Sequence, residues 1–190
     1  MKLLGLFISL FLFLSCTTGP FSEGRSGYVG LIDKYSAGDK QFSGLYQNFE
    51  FRTTILNHQV TEAIYNRMQQ FYDWSEEDHK KNLSEATNHL EKHTRFWMSF
   101  FTPDNKNDNL TTKKSIWKIY LLAGGRRWEG HVLKTNKVYS EAQALFPYHN
   151  RWATSYYVDF PVPTSEVEAL PLTFVVTGPL GRREVKISNL

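Results

Sequence analysis

From Gln47 to Ile55 apolar and polar side chains alternate: Phe49, Phe51, Thr53 and Ile55 fall on one side, Glu50 and Arg52 on the other. A period of two carried by aromatic and β-branched residues predicts a half-buried strand. The period then lengthens. Val60, Ile64, Met68 and Phe71 recur every three or four residues behind Asn57, which predicts a helix over 57–72 capped by that asparagine. Ser75 opens a second helix, since its hydroxyl can cap free amides while Glu76, Glu77 and Asp78 suit the positive helix end. Leu83, Ala86, Leu90, Trp97 and Phe101 continue an apolar stripe, so the helical pair is expected to occupy residues 57–101.

On either side of that pair the pattern is that of strands and turns. Tyr28–Asp33 reads as a short strand and Ser36–Lys40 as a turn. Beyond a polar loop, Ser115–Ala123 and Arg126–Lys134 flank Gly124-Gly125, and two glycines between such runs signal a tight hairpin. Tyr139–Leu145 reads as a helical turn. Trp152–Phe160 alternates and stops at Pro161-Val162-Pro163, and Pro171–Thr177 pairs with Arg182–Ile187 across a glycine-bounded turn. About seven mostly antiparallel strands need two layers to bury their apolar sides. The expected class is therefore mainly β. The arrangement resembles an immunoglobulin-like β-sandwich with a two-helix insertion over 57–101, without the cysteine pair of antibody domains. An α+β antiparallel sheet or a small barrel is the alternative.

The first sixteen residues follow a different logic. A single lysine precedes an unbroken apolar run from Leu3 to Leu14, and Ser15-Cys16 closes it. A basic start, a short apolar core and a small residue before the break describe a secretory signal, and the run is shorter than the ~20 residues a spanning helix needs. The segment resembles the signal and lipobox of bacterial lipoproteins, although Phe13 stands where that family usually has leucine. The resemblance implies that Cys16 receives the lipid and becomes the mature N-terminus, anchoring the protein in membrane lipid. Thr17 follows the cysteine, where retention in an inner membrane usually requires Asp, so the implied location is the bacterial cell envelope, at an outer membrane and facing the periplasm. The expected organisation is a signal over 1–15, a tether over 16–27 and one domain over 28–190.

Composition narrows the partners. Cys16 is the only cysteine, so the exported product has no internal disulfide and must hold together by packing. Fourteen Phe, ten Tyr and five Trp supply it, because aromatic side chains bury much area per residue. The formal charge of +3 is small and gives no ground for nucleic-acid binding. Lys113, Lys114, Lys118, Arg126, Arg127, Lys134 and Lys137 read mainly as a solvated strand face, with lipid phosphate or an anionic polymer as the alternative contact.

Chemical motifs are few. The chain has no GxSxG elbow, HExxH, GxGxxG or P-loop, and no cofactor is expected. Glu85, His89 and His93 lie four apart, a spacing that stacks them on one helix face and could hold zinc or nickel. The wet side of an amphipathic helix accounts for them more simply, so no metal is expected. Tyr148, His149, Arg151, Trp152, Tyr156 and Tyr157 form a dense aromatic and polar group, the candidate surface for an envelope protein or polymer. The functional expectation is a non-enzymatic envelope lipoprotein, an accessory or binding domain. The alternative is an envelope hydrolase or metal-dependent enzyme that draws on His89, His93 and His149.

Overall fold

The computed structural model describes residues 27–187. Helix α1 (Tyr28–Lys34) leads into strands β1 (Ser36–Ser43) and β2 (Tyr46–Ile55), followed by helices α2 (His58–Tyr72) and α3 (Glu76–Leu90) and strand β3 (Thr94–Phe101). Then come β4 (Lys118–Ala123), β5 (Arg126–Glu129), β6 (His131–Lys134), α4 (Tyr139–Leu145), β7 (Thr154–Phe160), α5 (Thr164–Val167), β8 (Leu172–Gly178) and β9 (Gly181–Ile187). They form two antiparallel sheets, of order β1-β2-β3-β7-β6 and β5-β4-β8-β9.

The helix starts follow the sequence closely. Asn57 Oδ1 accepts from Val60 N at 2.9 Å and Ser75 Oγ from Asp78 N at 3.1 Å, each satisfying an amide that the first helical turn leaves free. Asp73 adopts a left-handed conformation, φ 49°, and ends α2. The Gly124-Gly125 turn joins β4 to β5, both glycines having positive φ.

The immunoglobulin-like sandwich is not formed. Among the described residues the fold is α+β, with two open antiparallel sheets and five α-helices, and it closes into neither a sandwich nor a barrel. Residues 57–101 are not a helical insertion either. Only 58–72 and 76–90 are helical, and Thr94–Phe101 is the middle strand of the five-stranded sheet, paired with β2 on one side and β7 on the other. The helix pair is thus a long connection between two adjacent strands. β3 has no solvent-facing polar side because both of its faces are covered: Phe96, Met98 and Phe100 turn to the second sheet, and Trp97, between Arg95 and Ser99, stacks on Phe146 beside the helices at 3.8 Å. Two smaller expectations also fail. Tyr28–Asp33 is helix rather than strand, and Ser36–Lys40 is an edge strand rather than a turn, with Gly38 so close to β2 that a Cβ would meet Phe51 O at 2.6 Å.

Between the sheets the core is aromatic. Phe174 of β8 meets Phe96 at 5.1 Å and Phe51 at 5.9 Å, and Trp117 packs edge-on to Phe49 at 4.8 Å. At one margin β9 runs beside β1 through side-chain contacts, Arg183 Nε donating to Lys40 O at 3.1 Å, without a ladder between them.

At the other margin Arg126–Lys134, expected as one strand, divides at Gly130 and passes from the second sheet to the first. Gly130 N donates to Ile119 O at 2.8 Å, and a Cβ here would lie 2.5 Å from Val158 Cγ1 and 3.0 Å from the Phe160 ring. Gly130→Ala is therefore expected to destabilise the fold by about 1–3 kcal/mol, the usual cost of overpacking. Urea unfolding monitored by tryptophan emission measures it, and an unchanged midpoint would show that the crossing has room to spare.

Candidate functional site

The face of the five-stranded sheet turned away from the second sheet is roofed by α2 and α3. Alternation along β3 sends Arg95 and Trp97 to this side, and the register sets Arg95 opposite Asp159 and Trp97 opposite Tyr157 on β7. Roof and sheet enclose a cavity of about 270 Å³, near the lower end of the size range of small-molecule sites. Its walls combine Leu56, Ile64, Met68, Leu90 and Phe146 with Thr61, Tyr65, Glu85, His89, Arg95, Lys137 and Tyr157.

The polar wall is ordered around a buried carboxylate. Arg95 donates to Asp159 through Nε at 2.6 Å and Nη2 at 2.7 Å, a two-point contact that fixes both side chains. The guanidinium also lies over the Tyr157 ring at 4.8 Å. From α3, His89 Nε2 comes within 3.2 Å of Asp159 Oδ2, at ion-pair distance but without hydrogen-bond alignment, and its ring stacks on His93 at 4.7 Å. Lys137 reaches the same wall and is hydrogen-bonded to Glu141.

Burial and charge set the protonation states. Burial lowers the His89 pKa and the Arg95 charge lowers it further, against the opposing pull of Asp159, so the imidazole is neutral at pH 7. Burial alone would raise Asp159, but the hydrogen bonds and charge of Arg95 outweigh it and hold the carboxyl below its ordinary value. Burial pushes Tyr157 up to about 12, and its hydroxyl stays protonated. Thr61, nine-tenths buried, carries a hydroxyl oxygen with no partner among the described residues. A polar ligand group would satisfy it.

The sequence places these residues less well than it places the helices. His89 does not sit on a wet helix face: it turns to the sheet and meets Asp159, while Glu85 is exposed at the cavity rim. Among the described residues no group of three or more His, Cys, Asp or Glu side chains is arranged to hold a metal. The six residues of the expected partner surface separate. Tyr156 is buried and its hydroxyl donates to Asp108 O, Tyr157 points the opposite way into the cavity, and Tyr148 bonds Thr54 Oγ1 at 2.5 Å. His149 is buried against Ser99, with Oγ to Nδ1 2.8 Å, and burial lowers its pKa. Only Arg151 and Trp152 of the six are exposed. Cys16 lies outside the described residues.

Sequence reasoning missed Arg95 and Asp159 altogether. They are sixty-four positions apart, and only the register of β3 on β7 makes them neighbours. The one available signal was a charge inside each of two strongly apolar strands, since charges so placed are rarely left unpaired.

No protein-family model matches the chain, and no curated protein is significantly similar to it. Among solved structures, a protein of unknown function from Burkholderia pseudomallei is similar in fold, with a TM-score of 0.50 and 7% identity, over 85% of this chain and 82% of that one. A likeness at that identity concerns the fold alone.

Proposed function

We propose that the roofed cavity is the active site of a small-molecule hydrolase carried at the bacterial cell envelope on a lipid at Cys16. The observation that carries this reading is the position of His89, between a carboxylate locked by Arg95 and the cavity. Asp159 favours the proton on Nε2, which leaves Nδ1 as the basic nitrogen of a neutral imidazole. Such a group can take a proton from water as its oxygen attacks an acyl carbon, and return it to the departing alkoxide. Arg95 and Lys137, each already paired with a carboxylate, are the hydrogen-bond donors on the same wall nearest to where the carbonyl oxygen becomes negative. The apolar walls and the modest volume suit a small amphipathic substrate such as a short-chain ester. An accessory-domain role has less support, because only Arg151 and Trp152 of the six residues expected to form its surface are exposed.

The test uses p-nitrophenyl esters of increasing acyl length. Wild-type protein is expected to hydrolyse the short ones, and His89→Gln to lose at least ~100-fold in kcat/KM, at the lower end of what a general base contributes. Equal activity in wild type and variant, or no activity on any ester of the series, would defeat the hydrolase reading. The anchor is tested separately: Cys16→Ala should abolish labelling with radioactive palmitate.

A further inference from the structure

The cavity lies towards the Arg95 end of β3, and the opposite end of the molecule has a different surface. Glu50 of β2 pairs with Phe101, so the tip of the β1–β2 hairpin and the loop after β3 emerge at the same pole. Thr102 Oγ1 donates to Asn48 O at 3.0 Å, and Asn48 Nδ2 donates to Leu180 O at 2.8 Å, which brings the β8–β9 turn there too. Thr154 pairs with Phe100, which sets the 147–153 loop beside them.

Onto this pole the chain puts Phe42, Leu45, Tyr46 and Trp152, all exposed, with Leu45 wholly so and Trp152 at 74%. Scattered apolar residues on a surface need no explanation, but Phe42, Leu45 and Tyr46 around the β1–β2 turn and Trp152 in the 147–153 loop put four large ones at one end. Around them Lys106, Lys113, Lys114 and Arg151 are exposed and make no ion pair among the described residues. Asp104 is the exposed carboxylate of these loops, while Asp108 is held against Thr154 at 2.5 Å. The pole is thus apolar at its tips and positive around them.

We infer that this pole is the membrane-facing surface of the protein and inserts Phe42, Leu45, Tyr46 and Trp152 into the headgroup region of an anionic phospholipid bilayer. Tryptophan and tyrosine favour that depth, since the ring is apolar and one edge is polar. Lysine and arginine beside them are drawn to the negative surface. The inference rests on the reading of Cys16 as a lipid anchor, and the chain length allows it. Eleven residue steps from Cys16 to Gly27 reach at most ~40 Å, more than the ~27 Å length of β1, so the tether is long enough to run the length of that strand. The cavity then lies on the side away from the bilayer.

The full chain is reconstituted into phosphatidylcholine–phosphatidylglycerol vesicles with brominated acyl chains, and tryptophan emission is read. Trp97 and Trp117 are buried and Trp74 and Trp128 half-buried, so quenching reports chiefly on Trp152. Wild type is expected to be quenched, Trp152→Phe to lose that quenching with its melt unchanged, and Leu45→Ser/Tyr46→Ser to reduce it. Phosphatidylcholine vesicles alone should reduce it as well. Equal quenching in wild type and Trp152→Phe overturns the inference. Cross-linking of this loop to a protein without any bromine quenching overturns it in favour of a protein partner. Absence of palmitate labelling in the wild-type chain with Trp152 still quenched would reject the anchor and uphold the pole.

Discussion

Phe174→Ala is expected to remove about 3–5 kcal/mol of stability, the range for truncating a fully buried phenylalanine. The ring contacts Phe51, Phe96 and Phe160, three residues of the facing sheet on three different strands, at centroid distances between 5.1 and 6.0 Å. Two of these geometries are tilted and one is edge-on, arrangements that add to the area term. No disulfide can compensate, since the chain has a single cysteine. The loss therefore falls on the contact between the sheets. Phe174→Leu keeps most of the volume and should cost less than half as much. Urea titration of both variants gives the comparison, and a loss under 1 kcal/mol for the alanine would mean that the sheets are held together elsewhere.

The parts of this fold that could be read in the sequence are those governed by local chemistry. Asn57 and Ser75 cap where a cap was expected, the two glycines of 124–125 make the turn, and the alternation along β2 puts Phe49 and Phe51 against the second sheet and leaves Glu50 and Arg52 half-buried on the other side. What failed depends on tertiary cover. Trp97 and Phe101 match a helical stripe drawn from Leu83 as well as they match a strand, and on a central strand covered on both faces Arg95 and Ser99 are too little polar alternation to separate the two readings. Ser36–Lys40 carries turn-like residues, yet it lies on a sheet edge where one side is open to solvent and small polar residues are tolerated. The site was least legible. His89 stood out by its spacing with Glu85 and His93, but the residue that gives it a chemical role, Asp159, comes from a strand seventy positions later.

Removing that carboxylate gives the second large effect. Asp159→Ala leaves the Arg95 guanidinium partly buried without its two-point partner, and breaking a buried pair from one side costs about 3–5 kcal/mol. The low end of that range is expected, because the Arg95 side chain keeps 25% exposure. Replacing both partners, as Arg95→Met with Asp159→Leu, should restore much of the loss, since no charge is then left unpaired. The pH dependence has two limbs. His89 and His149 both have folded pKa values below the ordinary 6.5, so the unfolded chain binds more protons as pH falls past that point, and stability declines until the folded values are reached. Asp159 is depressed below its ordinary 3.8, so its contribution is complete above about pH 4 and is lost as pH falls through the folded value. Asp159→Asn should remove the lower limb and deepen the His89 part of the upper one. It should also lower the His89 pKa further, because the carboxylate is what pulls that value up. An NMR titration of the His89 ring protons reads this directly, and a His89 midpoint that does not move in Asp159→Asn would mean that the 3.2 Å contact carries no charge coupling and that the imidazole is not set up as a base by Asp159.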